Sequence, residues 1–306
     1  MRRRQPATIL DIARESGVSK STVSRVLNGH RQVSDEARRR VLQAIERLNY
    51  TPNGLARGLS GRRSGLVGFG LSDISNPFFP EIARGVEDVA RELWYTVFLA
   101  NTDGQVDREE EAVRLLVERR VDGIIFGSVT EDTRCLPKLS EVGIPFVLAG
   151  RSTRDPALDC VVVDNILGGR LATEHLIRLG HAHIAFIGGP PSVLASVERY
   201  EGYRQAMKAH GLPEEARLVR WADFRYEGGY QAARVLLRST RNRPTAIFAA
   251  NDQMAIGALD AALDLGLEVP RDVAIVGFDD IPAARLRTVQ LTTVAQPKYD
   301  IGSLAM

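Results

Sequence analysis

Apolar residues recur at helical spacing through residues 8–50 and predict three short helices. Gly17 ends the first helix, Ser19 is a good N-cap for the second, and Ser34 caps a third that carries Asp35 in its first turn. The residues expected to form the buried stripes are Ile9, Ile12 and Ala13, then Val23, Val26 and Leu27, then Ala37, Val41, Ile45 and Leu48.

From residue 65 onward, short β-rich runs alternate with amphipathic helical patterns. This rhythm is typical of parallel sheets with helices on both faces, and the number of runs favours two similar α/β lobes over one sheet. The predicted strands are 65–71, 95–100, 123–127, 145–148, 160–163, 183–187, 218–221, 246–249, 273–277 and 291–294.

The segment between these parts, TPNGLARGLSGRRS, is rich in glycine and arginine. Each helical glycine costs about 1 kcal/mol relative to alanine, so we expect this segment to fold only when something holds it. We predict a helix-turn-helix head at residues 1–50, a hinge helix or linker at 51–64, and a body at 65–306, whose first lobe spans about 65–164 and 288–306 and whose second lobe spans about 165–287.

Charge is distributed unevenly along the chain. Residues 1–64 hold 14 Lys or Arg against 5 Asp or Glu, whereas the remainder holds 26 against 33. A basic head on a mildly acidic body indicates a module that binds nucleic-acid phosphates. A solvated basic tail is the alternative, but here the basic residues are interleaved with periodic apolar ones.

Several protein classes are disfavoured. No apolar run approaches the roughly 20 residues of a membrane helix, and no apolar signal core follows Met1-Arg2-Arg3-Arg4. Cys135 and Cys160 lack metal-ligand spacing and fit a reduced setting, so we expect a cytoplasmic protein with no membrane partner.

Enzyme motifs are also missing from the sequence, which has no G-x-S-x-G, P-loop, G-x-G-x-x-G or H-E-x-x-H run. His175, His181 and His183 fit packing or capping better than metal binding, and Asp279-Asp280 has no further ligands placed with it. We therefore expect no enzyme, no cofactor and no metal.

The run ILDIARESGVSKSTVSRVLN, residues 9–28, combines a helix, a glycine turn and a second helix. In a helix-turn-helix, the second helix enters the DNA major groove. Lys20, Ser21 and Arg25 lie on its polar side and can reach bases, while Thr22 and Ser24 suit phosphate contacts. A plain helical hairpin is the alternative.

Particular sequence motifs favour a DNA-binding helix-turn-helix over a plain helical hairpin. The chain resembles the lactose-repressor family of bacterial regulators along essentially its whole length. The matching runs are Ile9–Ala13, Gly17–Ser19, Thr22–Gly29, Asn49–Asn53, Ser75–Phe79, Ala250–Ala255 and Val276–Pro282.

The resemblance implies a repressor that binds two-fold operator DNA as a homodimer. It also implies a hinge helix at residues 55–59, whose Leu59 wedges into the minor groove. Alternatively, Leu59 is a linker residue that packs on the body. The DNA-binding residues that we predict are Thr8, Ser19, Lys20, Ser21, Thr22, Ser24, Arg25, Asn28, Leu55, Ala56, Arg57 and Leu59.

The body resembles a two-lobed periplasmic sugar-binding protein, in which the ligand lies at the carboxyl ends of the strands. The predicted effector-binding residues are Phe78, Phe79, Arg199, Phe224, Asn251 and Asp279. The alternatives are core packing for Phe78 and Phe79, a surface charge for Arg199, and an N-cap for Asp279.

One position departs from the family pattern. Many relatives carry an acidic residue five places after the proline of Ile144-Pro145, where this chain has Gly150 followed by Arg151. A sugar-like effector is expected, with a nucleobase as the alternative. We expect effector binding to shift the lobes and thereby fold or melt the hinge.

Two rival functions remain open at this point. One is a sugar receptor with a vestigial head, and the other is an α/β enzyme with a DNA-binding head. We further expect the chain to be a shortened version of the family pattern, because the helix that begins after Pro297 would be followed by a further strand.

Overall fold

A computed structural model describes residues 7–27, 32–48, 50, 63–127, 135–151, 153, 155–238 and 242–306. The chain divides into two compact units, Met1–Gly65 and Leu66–Met306. Asn28 and the hinge residues Leu55, Ala56, Arg57 and Leu59 lie outside the described residues. Within the described ranges, no helix has both the length and the apolar character that crossing a membrane requires.

The head has the three predicted helices in its described part. These are α1 (Ile9–Ser16), α2 (Lys20–Leu27) and α3 (Asp35–Arg47). Gly17 ends α1 with a φ of 64°, a left-handed conformation that glycine adopts without strain. Ser19 Oγ accepts the Thr22 N–H at 3.1 Å, and Ser34 Oγ accepts the Ala37 N–H at 3.3 Å, so both predicted caps are confirmed.

The core of the head is local in sequence. Ile12, Val23 and Val41, one from each helix, have no exposed surface. Val26 and Ala44 complete the buried cluster. Because these side chains come from within one short segment, the head has an apolar core of its own.

The first lobe of the body contains a parallel sheet with strand order β2-β1-β3-β4-β5. Its apolar side chains form one buried cluster on each face of the sheet. Its elements in chain order are β1 (Leu66–Leu71), α4 (Phe78–Glu92), β2 (Thr96–Asn101), α5 (Val106–Glu118), β3 (Gly123–Phe126), α6 (Cys135–Val142), β4 (Phe146–Ala149) and β5 (Cys160–Val161).

The second lobe repeats this design around one large core, with strand order β10-β9-β8-β6-β7. Each described strand lies within two residues of a predicted one, so the fold class is confirmed. The elements are α7 (Asn165–Arg178), β6 (Ile184–Gly188), α8 (Leu194–Ala209), β7 (Val219–Trp221), α9 (Tyr226–Leu237), β8 (Ala246–Ala249), α10 (Asp252–Asp264), β9 (Ala274–Asp279) and β10 (Thr292–Ala295), followed by α11 (Lys298–Ala305).

The predicted return to the first lobe at residue 288 is wrong. Strand β10 pairs in parallel with β9, with Thr292 opposite Val276 and Ala295 opposite Asp279. Only α11 joins the first lobe, where it packs along α4. The chain therefore crosses between the lobes after β10, because the hydrogen bonds of that strand are made with β9.

Glycines lie at the contacts between three pairs of helices. These pairs are α4 with α11, α7 with α8, and α9 with α10. A Cβ added to Gly169 in α7 would lie 2.2 Å from the Arg199 carbonyl oxygen in α8. The glycines that make such contacts are Gly85, Gly169, Gly202, Gly229, Gly257 and Gly302. Their missing side chains let the helix backbones touch, which offsets their poor helix propensity.

Candidate DNA-binding and effector-binding sites

Helix α2 has one buried face and one open face. Val23 and Val26 are buried in the head, whereas Lys20, Ser21 and Arg25 are exposed. Because residues four positions apart share a helix face, Ser21 and Arg25 project together, away from the core. The structure therefore leaves the predicted base-reading side chains accessible on the head.

Hydroxyl groups cluster at the start of α2. Ser19 Oγ lies 2.7 Å from Ser21 Oγ and 2.9 Å from Thr22 Oγ1. This end of the helix carries the positive end of its dipole, which favours a phosphate. Ser24 lies half-buried on the same helix.

Thr8 has a structural role that the prediction missed. Its hydroxyl donates to Asp11 Oδ2 at 2.7 Å and accepts the Asp11 N–H at 3.3 Å, and its own N–H donates to that carboxylate. These bonds form a capping box for α1 and lower the pKa of Asp11. A phosphate would have to compete with Asp11 for the Thr8 hydroxyl proton.

Arg199 in α8 is buried rather than a surface charge, with only 5% of its surface exposed. Its Nε donates to Asn165 Oδ1 at 2.9 Å and its Nη1 donates to the Ala250 carbonyl at 2.6 Å. The guanidinium lies over the ring of Phe278, 3.8 Å from its centroid. These contacts fix the guanidinium plane at the carboxyl ends of the second-lobe strands.

Asp279 ends β9 beside this guanidinium, with Oδ1 3.8 Å from Arg199 Nη1. It does not cap the short helical turn at Pro282–Arg285, which Ile281 precedes without a side-chain bond. Instead, Gln296 Nε2 donates to Asp279 Oδ1 at 2.6 Å. Burial raises the pKa of Asp279 to about 7, although Arg199 opposes the shift, and burial likewise lowers the pKa of Arg199.

Asn251 and Phe224 are linked to each other. Asn251 Oδ1 accepts the Met254 N–H at 3.0 Å and so caps α10, while its Nδ2 donates to the Phe224 carbonyl at 2.9 Å. Phe224 has a φ of 64°, and a Cβ on Gly189 would lie 2.2 Å from its ring. Asn251 thus holds the turn that aims the Phe224 ring across Gly189.

Phe78 and Phe79 both lie in the core of the first lobe, with 8% and 5% of their surfaces exposed. Their rings meet edge to face, with centroids 5.3 Å apart. Both residues therefore pack in the core, which was the alternative to effector binding. Their contact with an effector stays a prediction.

Sequence reasoning missed a second guanidinium near the site, that of the half-buried Arg151. Arg151 follows β4 in the first lobe, and burial lowers its pKa to about 10, an effect that Glu109 opposes and Arg199 strengthens. Glu109, in the first turn of α5, is 2% exposed. The sequence signal for this residue was the departure from the family pattern at Gly150-Arg151. Only the fold shows that Glu109 and Arg199 face Arg151.

His181 and His183 precede β6 and so lie at the opposite end of that strand from the site. His183 Nδ1 is 3.1 Å from the Arg243 carbonyl oxygen and its Nε2 is 3.0 Å from Glu215 Oε1. His181 Nδ1 is 3.0 Å from Thr245 Oγ1. These hydrogen bonds tie the start of β6 to the segments that precede β7 and β8, a role that the packing and capping expectation does not include.

Comparison with known proteins places these sites in a family. The pattern "Bacterial regulatory proteins, lacI family" matches residues 8–53, and the pattern "Periplasmic binding proteins and sugar binding domain of LacI family" matches residues 64–304. This chain belongs to the LacI family.

Similar proteins agree with the assignment of this LacI-family chain. A ribose operon repressor of Halalkalibacterium halodurans is 42% identical and covers 97% of this chain and 88% of its own length. Catabolite control protein A of Priestia megaterium is 40% identical, with coverages of 98% and 90%. The lac repressor dimer bound to operator and the anti-inducer ONPF matches with a TM-score of 0.87 at 30% identity, covering 98% of this chain and 90% of that chain.

The LacI-family chain is a DNA-binding transcriptional regulator with an effector-binding body, as predicted. Its relatives are regulators and not enzymes, which removes the enzyme alternative. The match of residues 8–53 to the family's regulatory pattern likewise removes the receptor with a vestigial head.

Proposed function

We propose that this regulator is a cytoplasmic repressor that binds a two-fold operator as a homodimer and responds to a neutral sugar held between its lobes. The buried pair of Arg199 and Asp279 carries the effector part of the proposal. A guanidinium and a carboxylate side by side can donate to and accept from adjacent sugar hydroxyls.

The charges around this pair favour a neutral ligand. Arg199 is matched by Asp279 in the second lobe, and Arg151 is matched by Glu109 in the first. Since each guanidinium already has a carboxylate partner, the charge of a phosphorylated sugar would lack a counter-charge, which is unfavourable in a low-dielectric site. The ribose operon repressor among the relatives makes D-ribose the first sugar to test.

Isothermal titration calorimetry with neutral sugars, their phosphates and purine bases tests this proposal. Arg199→Ala removes one partner of a buried charged contact and should weaken sugar binding by about 2–5 kcal/mol. Arg178→Ala, at an exposed position on α7, is the matched control and should bind as the parent does. Unchanged sugar binding by Arg199→Ala, or preference for a phosphate or a purine, contradicts the proposal.

For the DNA site, we infer that Lys20, Ser21 and Arg25 face bases and that the hydroxyl cluster of Ser19 and Thr22 faces a phosphate. The exposed face of α2 supports this assignment. The roles of Asn28 and of Leu59 as a minor-groove wedge rest on the family resemblance.

Coupling between the sites is proposed to run through the hinge. A sugar that shifts one lobe of each subunit would change the spacing of the two hinges on the operator. Leu59→Ala should reduce DNA bending, measured by gel mobility of permuted fragments, while sugar affinity stays at the parent value. Parental bending by Leu59→Ala contradicts the wedge.

A further inference from the structure

Lys298, the first residue of α11, is a buried cation outside the predicted set. Its side chain is 3% exposed. Its ammonium donates to the carbonyl oxygens of Asp279 at 2.6 Å and Asp280 at 3.0 Å. On its other side, Nζ lies 3.4 Å from Glu81 Oε2 in α4. One ammonium therefore touches the end of β9 in the second lobe and a helix of the first.

The carbonyls that Lys298 holds belong to a strained turn. Asp279 has a φ of 125° and Asp280 a φ of 57°, and both values are uncommon for residues with a side chain. Such conformations persist only when their surroundings over-determine them. Two charge-assisted hydrogen bonds from a single ammonium supply that constraint at the backbone.

Helix α11 itself is anchored to the first lobe. A Cβ on Gly302 would lie 2.0 Å from the Ile82 carbonyl oxygen, and one on Gly85 would lie 2.2 Å from that of Tyr299. This contact leaves little room for α11 to slide along α4. Lys298 therefore extends from an element fixed on the first lobe to the end of β9.

We propose that Lys298 is a positioning residue for the effector site, which sets the direction of the Asp279 carboxylate and ties that direction to the first lobe through Glu81. This inference rests on the proposed function only in calling the site an effector site. It assigns Lys298 no direct contact with the sugar.

The charged groups facing Asp279 are Arg199 from α8, Asp252 from α10 and Lys298 from α11. Lys298 and Arg199 lower the pKa of Asp279, whereas Asp252 raises it. Removal of the Lys298 charge should consequently make the Asp279 carboxyl harder to ionise. This readout needs no effector.

The test is a carbon-13 NMR titration of the full chain labelled at its aspartate carboxyls, with Asp279→Asn identifying the signal. Lys298→Met should move the Asp279 midpoint upward by about 1 pH unit, and Lys298→Arg should move it back toward the parent value. Lys208→Met, at an exposed position on α8, is the control and should leave the midpoint unchanged. If Lys298→Met does not fold, Lys298→Gln retains a hydrogen-bond donor while also removing the positive charge, and the same titration applies to it.

Sugar binding by the same proteins separates this inference from the proposed function. For whichever neutral sugar the parent binds, Lys298→Met should weaken binding roughly tenfold, because the carbonyls of Asp279 and Asp280 both lose a charged donor. If the Asp279 carboxyl titrates with the same midpoint in Lys298→Met as in the parent, the positioning role is overturned, whatever the sugar-binding result. Parental sugar binding by Asp279→Asn instead overturns the proposed function and leaves the titration result standing.

Discussion

The carboxylate of Asp73 in the first lobe lies 3.2 Å from the guanidinium of Arg225 in the second lobe. Asp73 also accepts hydrogen bonds from the N–H and the hydroxyl of Ser75. Burial acts to raise the pKa of Asp73, but the Ser75 hydrogen bonds and Arg225 outweigh it and lower that pKa. Arg225 directly follows Phe224, which has a φ of 64°. This ion pair bridges the lobes next to a residue of the proposed effector site.

Breaking this bridge should alter sugar affinity with little change in stability. An exposed ion pair contributes about 0.2–1 kcal/mol, so Arg225→Ala and Asp73→Ala should each change the affinity by up to about fivefold. The charge-swapped double variant should recover the parent affinity, and Arg238→Ala, at an exposed position, is the control. Calorimetry that finds the two single effects additive would show that the bridge has no role.

Arg25 is the exposed arginine of α2. A bidentate contact with guanine is worth about 1–3 kcal/mol, so Arg25→Ala should weaken operator binding by that amount and relax preference at one position in each half-site. Arg39→Ala, exposed on α3, is the matched control. Fluorescence anisotropy on operators with single substitutions checks this, and equal weakening on every sequence would indicate a phosphate contact instead.

Asp279 should make stability depend on pH. Its pKa is raised by burial from 3.8 to about 7, so the folded protein retains a proton that the unfolded chain releases. The free energy of unfolding should therefore fall as pH rises from about 4 to about 7, and this contribution should be flat outside that window. Asp279→Asn should remove the slope and Asp300→Asn should keep it, as measured by urea unfolding at several pH values.

The glycine contact between α7 and α8 should tolerate no side chain. Gly169→Ala would bring a Cβ within 2.2 Å of the Arg199 carbonyl oxygen and force the helices apart. The expected loss of stability is about 1–3 kcal/mol, with weaker sugar binding because Arg199 moves. Gly123→Ala is the control, since its nearest contact would be 3.4 Å away. A parental melting temperature for Gly169→Ala would contradict this account.

Local patterns predicted the elements of this protein well. The caps at Ser19 and Ser34 and the glycine stop at Gly17 act within one turn of helix, so their signals lie in adjacent residues. The strands were equally readable, because a strand buried on both faces needs a continuous apolar run.

The sequence predicts less well which strands pair with each other. Thr292–Ala295 was recognised as a strand but assigned to the wrong lobe, since its composition does not specify a partner. Its partner becomes evident only in three dimensions, where Thr293 lies opposite Gly277 of β9 and donates to the buried carboxylate of Asp252 at 2.5 Å. The glycines at the helix contacts could not be predicted for a similar reason. From the sequence alone, a glycine in a helix indicates only a lower helix propensity.

By itself, the sequence determined the helix-turn-helix head, the two α/β lobes and the family, because periodicity, caps and motifs are carried by neighbouring residues. Only the tertiary structure decided which charges meet. Arg199 with Asp279, Arg151 with Glu109, and Lys298 with Glu81 come from distant segments. The proximity of these charges, on which the chemistry of the site depends, arises only when packing brings those segments together.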